Sequence, residues 1–185
     1  MARKFDEYSD KELCEMLSKK KEIAEGAFTE LFNRYSQKVY AFCRRFMGDR
    51  DIALDIYQET FLRFHQSAIK NNKIDNIPGY LMKTARNLCL NAKRDERPSI
   101  TFEEYMGGED DSLENDKDEL LSLIQKALEL LPDDYKEVFI LREYDGLPYS
   151  EIAVITDNTV ANVKVKVHRA KQKIKEILQP YLSEL

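Results

Sequence analysis

Apolar positions recur every three or four residues along most of this chain and hardly ever alternate, a pattern that predicts helices throughout. Ser9 with Glu12 forms a capping-box pair ahead of Leu13, Met16 and Leu17. A longer helical pattern then runs through Ala27, Phe28, Leu31, Phe32, Tyr35, Val39, Phe42, Cys43 and Phe46. It stops at Gly48-Asp49, with a glycine where a helix ends most easily. Asp51 is placed to cap the next helix, which continues to about Lys70. Residues 71–76 read as a polar loop, and Pro78 suits the first turn of a further helix that ends near Arg94. Periodicity returns at Leu120, Leu121, Ile124, Leu128 and Leu131, and Pro132 opens a helix holding Val138, Phe139 and Leu141. Asp145-Gly146 turns the chain, Ser150 to Thr156 predicts a short helix, and Thr159 caps a final one. No internal repeat and no strand pattern interrupts this order, so the expected fold class is all-α.

Composition divides these helices into two groups. Between Glu96 and Glu119 lie ten acids, Glu96, Glu103, Glu104, Glu109, Asp110, Asp111, Glu114, Asp116, Asp118 and Glu119, opposed only by Arg97 and Lys117. Pro98 and Gly107-Gly108 fall in the same stretch, where only Phe102, Tyr105 and Met106 offer apolar area for docking. Such a segment buries too little to offset its ordering entropy, and it reads as a flexible acidic linker. The expected organisation is an N-terminal helical domain over 1–97, a linker over 98–117 and a C-terminal domain over 118–185. Cys14, Cys43 and Cys89 have neither a metal-ligand spacing nor an even number, which fits a reduced, cytoplasmic setting. No apolar run approaches a bilayer span and the N-terminus has no signal-peptide pattern, so neither membrane insertion nor export is expected. Catalysis is not expected either. Glu109-Asp110-Asp111 would need a rigid frame to hold a metal, and no Gly-rich phosphate loop or nearby histidine accompanies it, so no metal, cofactor or small-molecule substrate is assigned.

Charge singles out the last helix. Against a net charge of −5 for the whole chain, it holds Lys164, Lys166, Arg169, Lys171, Lys173 and Lys175 with one acid, Glu176. At 100° per residue, Val160, Val163, Val167, Ala170, Ile174 and Leu178 share its inward side. The other side carries Ala161, Asn162, Val165, Lys166, Arg169 and Lys173. A short helix, a tight turn and a basic helix together predict a helix-turn-helix whose second helix enters the major groove. There Asn162, Val165, Lys166, Arg169 and Lys173 are candidate DNA contacts, and Thr159 with the first free amides is a candidate phosphate site. A solvated basic face, or a helix that binds an acidic protein, is the alternative, and His168 reads as a rim residue.

Two further faces stand out. On the helix 51–70, Ala53, Tyr57, Thr60, Phe61, Phe64 and Ala68 form the expected core stripe. The opposite side should be polar, yet it carries Leu54, Gln58 and Leu62 in a row, with Asp55 and Glu59 alongside and Ile69 nearby. This is either a protein-binding surface or a stripe covered by another helix of the same domain. On the helix 78–94, Leu81, Ala85, Leu88 and Ala92 point inward, helped by Met82 and Cys89. Tyr80, Lys83, Thr84, Asn87, Asn91 and Arg94 line the outer side with no acid among them. An aromatic, cations and amides on one stripe suit unpaired DNA, where bases stack and phosphates need charge.

The blocks Ala27-Phe28-Thr29-Glu30-Leu31-Phe32, Asp55 to Arg63, Tyr80-Leu81 with Thr84-Ala85-Arg86-Asn87, and Leu131-Pro132 through Glu151-Ile152-Ala153 to His168-Arg169-Ala170 occur in one order. In that order the chain resembles the extracytoplasmic-function (ECF) sigma factors, over roughly 22–98 and 118–180. The resemblance implies that Leu54, Asp55, Gln58, Glu59 and Leu62 bind the clamp coiled coil of the largest subunit of core RNA polymerase. It implies that the stripe of Tyr80, Lys83, Thr84, Asn87, Asn91 and Arg94, with the loop residues Asn71, Asn72 and Lys73, opens and holds the minus-ten element. The last helix would read the minus-thirty-five element, the polymerase flap and clamp would be contacted, and an anti-sigma factor is a further possible partner. The chain departs from the family pattern at Tyr80, where tryptophan is usual, at Asp157-Asn158 in the turn, and at Ala161-Asn162-Val163. A free-standing helix-turn-helix regulator that binds duplex DNA alone is the alternative function.

Overall fold

Helix boundaries in this protein trace to residues able to end a hydrogen-bond ladder. The computed structural model describes residues 5–70, 74–95 and 116–182, and every regular element among them is helical. A short 3₁₀ turn, Phe5–Glu7, precedes α1, Asp10–Met16. The capping box at Ser9 is complete: the Glu12 N–H donates to Ser9 Oγ at 3.4 Å, and the Ser9 N–H donates to Glu12 Oε2 at 2.8 Å. Next come α2, Lys21–Met47, and α3, Arg50–Ile69, joined through Gly48 at φ 75°. Asp49, and not Asp51, caps α3; its Oδ1 accepts from the N–H of Asp51 at 2.8 Å and of Ile52 at 2.9 Å. Asp51 sits one residue inside, where its charge meets the positive end of the helix dipole. In α4, Ile77–Asp95, Asn76 Oδ1 accepts from the Gly79 N–H at 2.9 Å, and Pro78 lies in the first turn, where its missing N–H is not needed.

The chain divides into two compact units, Met1–Cys89 and Leu90–Leu185, and the division falls inside α4. In the first unit, α2 and α3 run antiparallel and share an aromatic seam. Phe28 meets His65 at 5.0 Å between ring centres, Phe32 meets Phe61 at 4.9 Å, and Tyr40 meets Tyr57 at 5.6 Å. Leu31, Phe42, Phe46, Phe64 and Leu81 are fully buried in this unit, and each large side chain contributes about 1.5–3 kcal/mol on leaving water. Ile56 takes a buried place on α3, while Tyr57, expected there, stays half-buried with its ring in the seam. On α4 the buried positions are Ile77, Leu81, Met82, Ala85 and Cys89, and the expected Leu88 and Ala92 are only half-covered. Arg34 fastens the N-terminal segment to α2. Its guanidinium reaches Glu30 at 2.8 Å, Asp10 at 2.9 Å, the Tyr8 carbonyl at 2.9 Å and the Asp6 carbonyl at 3.1 Å. The Tyr35 hydroxyl also donates to Asp10, and burial together with that bond pushes its pKa up.

The second unit contains α5, Asp116–Glu129, and α6, Asp133–Phe139, then a π turn, Ile140–Tyr144, closed by the Asp145 N–H on the Ile140 carbonyl at 3.1 Å. It ends with α7, Tyr149–Thr156, and α8, Val160–Leu182. Leu123, Ala127, Leu128, Leu131, Phe139, Ala170, Ile174 and Leu178 form one apolar cluster that joins α5 and α6 to α8. Lys136, 1% exposed, enters this unit as a charge and pairs with Glu129 at 2.7 Å. Burial holds its ammonium below the ordinary lysine range, and Glu129 opposes that shift. The acidic stretch expected to be a linker lies mostly outside the described residues; Asp116 and Lys117 open α5.

Candidate nucleic-acid and protein interfaces

The turn between α7 and α8 has no glycine, and the structure shows how it is made. Asp157 adopts the left-handed conformation, φ 53° and ψ 43°, which short polar side chains tolerate better than others. That places the Asn158 N–H on the Ala153 carbonyl at 2.9 Å, the six-to-one bond of a Schellman ending. The side chain of Asn158 then bridges the two helices. Its Nδ2 donates to the Thr156 carbonyl at 2.9 Å, and its Oδ1 accepts from Asn162 Nδ2 at 2.7 Å. Thr159 caps α8 as expected, with its Oγ1 accepting from the Asn162 N–H at 3.2 Å. The packing of the turn thus comes from side-chain amides, in place of a glycine and an apolar residue.

Along α8, Val163, Val167, Ala170, Ile174 and Leu178 are buried as the periodicity predicts. Val160, expected among them, is 41% exposed, as are its neighbours Thr159, Ala161 and Asn162 in the first turn of the helix. Thr159, Asn162, Val165, Arg169 and Lys173 are all exposed on the outer side. Lys166 differs: it is half-buried and pairs with Asp134 of α6 at 3.2 Å. Lys171 pairs with Glu143 at 2.9 Å. Over the Tyr149 ring, Arg142 sits 4.5 Å and Lys164 5.7 Å from the centre, and Arg142 also donates to the Leu147 carbonyl at 2.9 Å. The basic character of the helix therefore rests most openly on Arg169, Lys173 and Lys175.

On α3 the two open readings of the leucine stripe separate. Leu54 is 39% exposed, Leu62 51% and Ile69 47%, so the described residues of the chain leave the stripe uncovered. Asp55 and Gln58 are exposed beside it, and Glu59 is half-buried with an ion pair to Arg63 at 2.6 Å. An apolar row edged by acids costs free energy in water and gains it against a partner with apolar and basic groups. The α4 stripe is graded. Asn87, Asn91 and Arg94 are exposed, whereas Tyr80, Lys83 and Thr84 are half-buried, with the Tyr80 ring 6.1 Å from Phe64. Asn87 also accepts a hydrogen bond from Arg86 at 3.2 Å. Asn71, Asn72 and Lys73 lie outside the described residues. Sequence reasoning missed Asn158 as a member of the α8 site; its signal was the four-residue spacing to Asn162 across a helix start. It also missed Val154 on α7, which is 66% exposed.

Among the described residues no group of histidine, cysteine or carboxylate side chains could hold a metal, and no helix is long and apolar enough to cross a membrane. Residues 31–98 match the family model described as Sigma-70 region 2, and residues 121–174 match Sigma-70, region 4. The ECF RNA polymerase sigma factor SigW of Bacillus subtilis is 28% identical over 184 residues, covering 89% of this chain and 98% of that protein. The RNA polymerase sigma-H factor of Pseudomonas aeruginosa is 28% identical over 173 residues, covering 85% and 89%. The ECF RNA polymerase sigma-E factor of Escherichia coli is 29% identical over 170 residues, covering 84% and 88%. In fold, the chain is similar to CnrH, solved with the cytosolic domain of CnrY, at a TM-score of 0.70 with 18% identity over 92% of this chain and 97% of that one. It is also similar to RpoE of Bartonella quintana, solved with the anti-sigma factor NepR, at 0.63 with 22% identity over 82% and 96%.

Proposed function

We infer that this chain, which belongs to the extracytoplasmic-function sigma factors, binds core RNA polymerase and directs promoter-specific initiation of transcription. One observation carries the reading: region 2 and region 4 follow each other in a single chain, and each contributes an uncovered face of the required chemistry. A free-standing helix-turn-helix regulator, whose N-terminal half would sense or dimerise, would account for the second region but not for the Sigma-70 region 2 match over residues 31–98.

At the residue level we assign Leu54, Asp55, Gln58, Glu59 and Leu62 to the polymerase clamp. Leu54 and Leu62 supply apolar area at the centre of that contact and the acids supply its rim. Asn87, Asn91 and Arg94, with Tyr80, Lys83 and Thr84 beside them and Asn71, Asn72 and Lys73 in the preceding loop, are assigned to the opened minus-ten element. The outer side of α8, with Thr159, Asn162, Val165, Lys166, Arg169 and Lys173, is assigned to the minus-thirty-five element. On this reading the chain has no chemistry of its own and works in the cytoplasm, where polymerase and promoter meet. An anti-sigma factor that occupied the α3 stripe would block it, and the solved complex of the similar RpoE with such a factor supports looking for one.

Core binding tests the assignment. Leu54→Arg with Leu62→Arg places two cations on the stripe, and affinity for core enzyme is expected to fall more than about 100-fold, as truncation of central anchors does. The circular dichroism spectrum and melting curve should remain those of the wild type, because both side chains are exposed. Undiminished affinity in that double variant would remove the clamp assignment.

A further inference from the structure

One cation on the outer side of α8 already has an acid for company. Lys166 shares that side with Asn162, Arg169 and Lys173, yet its side chain is only 17% exposed, and its Nζ lies 3.2 Å from Asp134 Oδ2. With most of its stem covered, the ammonium has little room to leave that partner. Asp134 is 51% exposed, so its carboxylate stands in water at the same edge of the helix. It lies in the first turn of α6, where the positive end of the helix dipole favours a carboxylate with or without a lysine beside it. A pair this exposed adds little to stability, and its main consequence is electrostatic.

A lysine and a carboxylate in contact carry no net charge, and the field of such a pair falls off faster with distance than that of a lone cation. Affinity for the DNA backbone comes from counterions released as protein cations neutralise phosphates. A lysine that an acid has already neutralised releases none until the acid is displaced. A phosphate that reaches Lys166 also meets the Asp134 carboxylate, because the two groups are in contact. We propose that Asp134 masks Lys166, and that this acid of α6 holds down the affinity of α8 for the DNA backbone in the free chain. Lys166 joins a phosphate only by exchanging Asp134 for it. The proposal rests on the assignment of the outer side of α8 to the minus-thirty-five element, and adds to that assignment a residue outside α8 that limits its grip.

The test is binding of the full-length chain, without core enzyme, to a fluorescent mixed-sequence duplex, followed by anisotropy over a series of salt concentrations. Asp134→Asn should bind about five- to ten-fold tighter than wild type at about 0.1 M salt, and its plot of log affinity against log salt should steepen by about 0.9, the value of one more phosphate contact. Asp134→Asn with Lys166→Met removes both charges and keeps the apolar stem, so its affinity and slope should return to those of wild type. Melting curves should show every variant folded, since Asp134 is half-exposed and methionine fills the place of the lysine stem. If Asp134→Asn gains neither affinity nor slope while Arg169→Ala weakens binding, the mask is wrong although α8 still meets DNA. A gain that persists in the double variant would overturn the proposal equally, because it would come from lost repulsion by Asp134 and not from a released lysine. If Arg169→Ala and Lys173→Ala both bind as wild type does, the assignment of α8 itself fails.

Discussion

Asp157 and Lys136 each carry a local cost in the second unit, and each gives a stability prediction. Asp157 holds a left-handed backbone with a Cβ and puts a negative charge at the carboxyl end of α7, where the dipole disfavours it. Asp157→Gly removes both penalties, against a larger unfolded-state entropy, and should stabilise the protein by about 0.5–1 kcal/mol in urea denaturation. Lys136 is buried against Glu129, so Lys136→Ala leaves a carboxylate with much less compensation and should cost about 3 kcal/mol. Replacing the pair together, Lys136→Met with Glu129→Leu, should recover most of that loss, since a packed apolar pair avoids desolvating two charges. A double-mutant cycle in which the two single costs simply add would contradict a direct pairing.

Elements in this fold are held by period and cap, and that is why most of them were legible in the sequence. The α-helical spacing of apolar residues located every long helix, and the capping box at Ser9, the glycine after α2 and Thr159 before α8 marked their ends. Errors arose where a choice depended on geometry finer than the period. Asp49 and Asp51 are both acids at a helix start, and only backbone conformation decides which one caps. Ile56 and Tyr57 are neighbours on one face, and the larger ring was drawn to the seam edge. Whether Leu54 and Leu62 were covered depended on distant elements that periodicity does not position. The side-chain bridge of Asn158 across the turn accompanies a left-handed Asp157 that spacing alone does not reveal. The N-terminal segment with α1 is tied to α2 through the Arg34 side chain. Arg34→Ala removes the fork that binds Asp10 and the carbonyls of Asp6 and Tyr8, and Lys cannot replace its geometry. Because these groups are partly exposed, the cost should be only about 1 kcal/mol, read as faster amide exchange across α1 with α2 and α3 unaffected.

On the proposed function the whole molecule works through surfaces that lie on separate parts of one chain, so its behaviour should differ with and without polymerase. The chain carries a net charge of −5, which opposes phosphate binding at long range, while Arg169, Lys173 and Lys175 provide only a local positive field. Alone, it should shift duplex promoter DNA weakly and lose that binding steeply with salt. With core enzyme present, if both surfaces assigned to DNA engage together, binding should strengthen by orders of magnitude through effective concentration. Tight, specific binding by the chain alone would point back to a free-standing regulator.

The central claim is that this chain gives core polymerase a promoter preference, and transcription measures it directly. Purified core enzyme is supplied with genomic DNA of the native host, with the wild-type chain, with the Leu54→Arg/Leu62→Arg chain, or with neither, and RNA 5′ ends are mapped. The account predicts a small set of discrete start sites that appear only with the wild-type chain and share paired upstream elements. Start sites that are the same in all the reactions, with the wild-type chain folded and present in excess, would contradict it.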